Sequence, residues 1–129
     1  GFMATAILVV NNIRDRHTDV LAQKRTLAVR FGGTFCRIQY VVLMISSYAI
    51  AVAATLSPLQ QWNVDPNDTT GTWLRRVLPL LSLPMASTCI DAVYFQKLEG
   101  KEINPYVGKT AKVQLAFSVL QYVSLCCYR

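Results

Sequence analysis

Between Arg37 and Asp65 lie 27 consecutive residues without a formal charge. A helix crosses a hydrocarbon core of about 30 Å with about 20 mainly apolar residues, so this run spans with residues to spare. Two shorter charge-free runs follow, 14 residues between Arg76 and Asp91 and 16 between Lys112 and Arg129. Each of these qualifies only if its flanking residues contribute. Charged residues are 16% of the chain, against about 25% in soluble domains, and the apolar content excludes disorder, a disulfide-stapled mini-protein and a collagen-like fibre. The expected architecture is all-α, a multi-pass transmembrane helix bundle, with residues 1–129 as one incomplete transmembrane domain.

Four segments are expected. Residues 2–10 (FMATAILVV) are apolar but too short to span alone and read as the inner end of a helix. Residues 38–59 form the clearest transmembrane helix, closed by Pro58 and a polar loop. Residues 73–95 carry Pro79 and Pro84, whose freed carbonyls Ser and Thr side chains can satisfy within a bundle. Residues 110–128 form the last helix, after a polar loop punctuated by Gly100, Pro105 and Gly108. The chain begins inside one apolar run and stops just after another, which reads as part of a larger protein.

Thirteen Lys and Arg against seven Asp and Glu give a net charge of +6. Spread evenly, that excess would suggest nucleic acid as a partner, but the 27-residue charge-free run excludes such a binder. The cations cluster instead, six from Arg14 to Arg37 and four from Lys97 to Lys112, while the intervening loop holds Asp65 and Asp68. Two crossings between the basic loops put both on one side. By the positive-inside rule that side is cytoplasmic or its organellar equivalent, as in a bacterial inner membrane or an organellar membrane. Cys36, Cys89, Cys126 and Cys127 show neither a zinc spacing nor a His cluster and read as packing residues.

Asn11, Asp15 and Asp19 recur at i, i+4 and i+8, which places them on one face of a helix. Two carboxylates there need a counter-charge, from protein cations or from a divalent metal. Mg²⁺ is commonly held by one or two carboxylates with waters and substrate phosphates as its other ligands. Arg14, Arg16, Lys24, Arg25 and Arg30 lie within or just after the motif and suit phosphate oxygens. A solvated juxtamembrane charge cluster would account for the cations but not for Asp15 and Asp19. His17 reads as exposed or outlying, Asp91 as reaching the interface or pairing with Lys97, and Tyr40, Tyr48 and Tyr94 as interfacial anchors.

The string NNIRDRHTDVLAQKRTLAVRFG, residues 11–32, resembles the second aspartate-rich motif of the UbiA-type membrane prenyltransferases, and most of all their 1,4-dihydroxy-2-naphthoate polyprenyltransferase branch. The likeness runs through Asn11, Asn12, Arg14, Asp15, Thr18, Asp19, Ala22, Lys24 to Arg30, and Gly32. It departs at Gln23, where the family usually has Gly in a tight turn before Lys24. LPLLSLPM and NPYVGKTAKVQLAF also resemble the end of that branch, so the likeness covers most of the chain.

The resemblance implies the C-terminal part of a bundle of about nine helices, in which two aspartate-rich motifs face each other. This chain carries the second. By that likeness Asp15 and Asp19 bind Mg²⁺ and are catalytic, while Asn11, Asn12, Arg14, Lys24 and Arg25 serve the diphosphate. The implied partners are a polyprenyl diphosphate, an aromatic acceptor and the lipid bilayer, the products are quinone precursors of the menaquinone or phylloquinone kind, and the 129-residue chain alone is expected to be inactive. Hydroxybenzoate, homogentisate, haem or chlorophyllide branches are the alternatives within the family. A non-catalytic transporter piece built around the Pro-interrupted third segment and Asp91 is the alternative outside it.

Overall fold

The computed structural model describes residues 1–56 and 77–126, with side chains described for 1–54 and 77–125. The expected acidic loop with Asp65 and Asp68, Arg75 and Arg76, and the cysteines at 126 and 127 lie outside the described residues or side chains. The described residues are all-α and contain no strand. Helix α1 spans Phe2–Leu21 and α2 spans Leu27–Leu56. A 3₁₀ turn, Leu78–Ser82, leads into α3, Leu83–Ile90, and a π turn, Asp91–Phe95, follows it. A second 3₁₀ turn, Gly100–Ile103, opens α4, Asn104–Cys126.

Helix α1 continues through the polar motif because no Gly or Pro interrupts residues 2–21. It ends in a Schellman arrangement: the Lys24 N–H donates to the Asp19 carbonyl at 2.9 Å and the Gln23 N–H to the Val20 carbonyl at 3.1 Å. Gln23 takes the left-handed conformation this turn requires, φ 54°. Helix α2 starts at Leu27, earlier than residue 38, and kinks at Gly32, where φ 85° and ψ 167° fall in a region open essentially to glycine alone.

Among the described residues, two stretches are long and apolar enough to cross a membrane, Leu27–Ala54 and Leu78–Phe95. The second absorbs its prolines locally. Pro79 opens a 3₁₀ turn and Pro84 sits in the first turn of α3, where no intrahelical N–H is needed. Hydroxyls take up nearby carbonyls, as Ser82 Oγ donates to the Pro79 carbonyl and Ser87 Oγ to that of Pro84, each at 2.8 Å.

The core stripe of α1, Met3, Ala6, Val10 and Ile13, is buried against the bundle, and α1 packs on α2 and α4. Lipid tails are as apolar as leucine, so packing and interhelical hydrogen bonds must hold such helices together. Tyr40 Oη of α2 bonds Thr110 Oγ1 of α4 at 3.0 Å, and Tyr48 Oη bonds Ser82 Oγ at 2.7 Å. Tyr40 and Tyr48 are therefore buried core residues rather than interfacial anchors, since partners for their hydroxyls lie inside the bundle. Tyr94 is exposed. Cys36 and Cys89 are free, buried packing residues.

Candidate functional site

The polar stripe of α1 lies on the side of the helix away from its core stripe. Successive residues turn by about 100°, so Asn11, Asp15 and Asp19 point roughly opposite to Ala6, Val10 and Ile13. Asn11 and Asn12 are half-buried on the turn before Asp15. Arg14 grips its neighbour with two hydrogen bonds, Nε to Asp15 Oδ1 and Nη2 to Asp15 Oδ2, both 2.7 Å. Those hydrogen bonds, with the charges of Arg14 and Lys24, hold the Asp15 carboxyl below the usual range against a smaller opposing effect of burial.

Asp19 is held differently. Its side chain is 7% exposed, against 41% for Asp15. The Schellman turn reverses the chain and brings Lys24 Nζ to 3.2 Å from Asp19 Oδ1. Arg25 is exposed on the same turn. The structure thus brings Arg14 and Lys24 to the two acids, one cation to each.

Asp15 and Asp19 are the residues of this face that could hold a divalent ion. Two carboxylates one turn apart match what Mg²⁺ asks of protein, and Asp15 is open to solvent. Among the described residues no third His, Cys, Asp or Glu joins them, so an ion held there would need its further ligands from water, a bound molecule or another part of the protein.

A second charged cluster lies beside the motif, drawn from residues far apart in sequence. Glu99, in the loop before α4, accepts from Arg37 Nη2 of α2, sits 3.2 Å from His17 Nε2, and lies 3.9 Å from Arg16 Nη1. Burial alone would push the Glu99 carboxyl up, but the hydrogen bonds from Arg37 and His17 and the charges of Arg37 and Arg16 outweigh it and hold it low. The only sequence signal was Arg37 itself, a charge at the edge of an apolar span that calls for a partner. His17 is 73% exposed apart from this contact. Asp91, at the end of its span, accepts from Gln96 Nε2 at 2.5 Å rather than pairing with Lys97.

The chain is similar to two curated proteins named 1,4-dihydroxy-2-naphthoate octaprenyltransferase. It is 40% identical to that of Mycobacterium leprae over 52 residues, which is 40% of this chain and 18% of the relative. It is 25% identical to that of Haemophilus influenzae over 120 residues, 93% of this chain and 35% of the relative. Both carry the branch name that the motif suggests, and the chain spans about a third or less of their length. No family model matches the chain. No solved structure matches it.

Proposed function

We propose that this chain supplies one share of the diphosphate site of a UbiA-type membrane prenyltransferase, the C-terminal part of a bundle of about nine helices. The reaction moves a polyprenyl group from its diphosphate to an aromatic acceptor, 1,4-dihydroxy-2-naphthoate, on the way to a quinone. One observation carries the reading: Asp15 and Asp19 stand one turn apart on the face of α1 turned from its core, each with a cation in contact. The names of the two relatives support it.

Asp15 and Asp19 hold Mg²⁺ in this reading, directly or through water. The ion, when bound, supplies positive charge to the departing diphosphate. Arg14, Lys24 and Arg25 neutralise phosphate oxygens, and Asn11 and Asn12 orient the group by hydrogen bonds. The allylic C–O bond breaks with its electron pair leaving on the diphosphate. An electron-rich ring carbon of the acceptor then attacks the allylic carbon, and the naphthoate ring gives up its carboxyl group as CO₂. The protein lies in the membrane as a multi-pass bundle, with the motif on the cytoplasmic or equivalent side together with the other basic loop.

The test is Mg²⁺-dependent transfer by the full-length protein in membranes, with naphthoate, hydroxybenzoate and homogentisate offered as acceptors. Preference for naphthoate supports the branch, and preference for another acceptor moves the chain to that branch. Asp15→Asn is expected to cut transfer by about 100-fold or more, the scale of losing one charge-stabilising group. Undiminished transfer by that variant overturns the assignment. The 129-residue chain by itself is expected to be inactive, and Mg²⁺-dependent transfer by it alone would refute the shared-site reading.

A further inference from the structure

A cavity of about 380 Å³ opens between α1 and the turn that starts α4. Arg14, Asp15, His17 and Thr18 form one wall, and Lys101 and Asn104 stand on the other. Its volume falls within the range of small-molecule sites, about 300–1,000 Å³. Its charge is set by what is already spent. Asp15 is neutralised by Arg14 through two hydrogen bonds, the Thr18 hydroxyl is engaged with the Asp15 carbonyl at 2.8 Å, and His17 faces Glu99.

Lys101 is different. It is exposed and makes no ion pair among the described residues. Gly100, with φ 57°, turns the chain so that the following residue enters the cavity wall. Arg14 directs Nε and Nη2 at Asp15, leaving Nη1 for another acceptor. The cavity therefore holds more fixed positive charge than negative, and it borders the carboxylate that the proposed function assigns to the metal.

We propose that Lys101, with Arg14 and Asn104, forms an anion seat beside Asp15 that takes an anionic group of a substrate, the diphosphate of the prenyl donor or the carboxylate of the aromatic acceptor. The identity of that anion rests on the proposed prenyl transfer; the seat itself rests on the cavity and its cations. Lys101 comes from the α3–α4 loop, outside the aspartate-rich motif, so the seat joins two separate stretches of chain. Both anions need the same chemistry, a charge-assisted contact from an ammonium and a guanidinium.

The experiment uses the full-length protein in detergent, comparing wild type with Lys101→Ala and Lys101→Arg. Binding of inorganic pyrophosphate in EDTA and binding of 1,4-dihydroxy-2-naphthoate are measured by calorimetry. The KM for each substrate and thermal unfolding are measured beside them. One charge-assisted contact corresponds to about tenfold in affinity. Pyrophosphate affinity and the donor KM worsening by about that factor in Lys101→Ala, with recovery in Lys101→Arg and unchanged unfolding, identifies the diphosphate as occupant. The same change confined to the naphthoate measurements identifies the carboxylate. If transfer proceeds and Lys101→Ala alters neither ligand's binding nor either KM, the seat is refuted while the function stands. If the full-length protein transfers nothing yet pyrophosphate binding depends on Lys101, the function is refuted and the seat stands.

Discussion

Arg37 of α2 donates Nη2–H to Glu99 Oε1 across 62 residues of sequence. The contact ties α2, just past its kink at Gly32, to the loop that begins α4, and Arg16 and His17 bring α1 to the same carboxylate. Gly33 makes room for it, since a Cβ there would stand 3.1 Å from both Arg37 Nη1 and Glu99 Oε1. The cluster thereby sets the position of the aspartate-bearing helix relative to Lys101 and Asn104.

Removing Glu99 should cost more than a surface ion pair. Arg37 has a side chain only 9% exposed, and its Nε finds no partner among the described residues. Loss of Glu99 leaves this nearly buried charge with the Lys97 carbonyl, 3.2 Å from Nη2, as its remaining acceptor; a fully stranded charge in a sealed interior costs about 3–5 kcal/mol. Glu99 reaches solvent at one edge, so we expect about 2–3 kcal/mol for Glu99→Gln. The double variant with Arg37→Met should recover part of that loss. Unfolding in detergent by heat or denaturant measures the cycle, and strictly additive losses would show that the two residues are not coupled.

Acid should loosen the same cluster. Asp15 and Glu99 are both held below their ordinary values of 3.8 and 4.5. A carboxyl with a depressed folded pKa gives stability that is present above its unfolded value and is lost as pH falls through the folded one. Stability should therefore stay level from about pH 7 to about pH 5 and decline below about pH 4.5. Glu99→Gln should flatten part of that decline and leave the part due to Asp15. A variant curve parallel to wild type down to about pH 3 would remove Glu99 from the account.

The turn before Lys24 carries a cost that glycine would relieve. Gln23 sits at φ 54°, and the left-handed conformation costs a residue with a Cβ about 1–2 kcal/mol. Glycine gives back part of that gain by freeing the unfolded chain. Gln23→Gly should therefore raise stability by about 0.5–1 kcal/mol, and thermal unfolding would register it. Gly32→Ala should do the opposite by about 1–3 kcal/mol, because φ 85° with ψ 167° suits glycine alone. A Gln23→Gly variant less stable than wild type would mean the glutamine side chain makes a compensating contact.

The helical class was legible because charge-free length is a one-dimensional property. Residues 38–64 report it without any tertiary information, as the i, i+4, i+8 spacing reports the shared face of Asn11, Asp15 and Asp19. Pairings between distant segments were not legible. Nothing near Glu99 in sequence indicates that Arg37, His17 and Arg16 converge on it. Tyr40 and Tyr48 misled for a related reason: an aromatic with a polar tip suits an interface, unless a partner such as Thr110 or Ser82 meets the hydroxyl inside. The helices also start earlier than hydropathy indicates, since α2 and α4 begin in charged or polar stretches that it excludes.

The two motif aspartates should separate when stability and activity are measured together. Asp15 is 41% exposed and paired on the surface with Arg14, so Asp15→Asn should change unfolding by less than about 1 kcal/mol, the usual scale of an exposed pair. Asp19 is 7% exposed, and Lys24 is its ionic partner. Lys24→Met leaves that buried carboxylate uncompensated and should lower stability by about 2–3 kcal/mol, while Asp19→Asn together with Lys24→Met should recover part of it. Under the proposed function all three substitutions depress Mg²⁺-dependent transfer by the full-length protein, but only those that disturb the Asp19–Lys24 pair also lower its unfolding temperature. Equal stability losses for Asp15→Asn and Lys24→Met would show that the two acids are not held by the different means that their burial indicates.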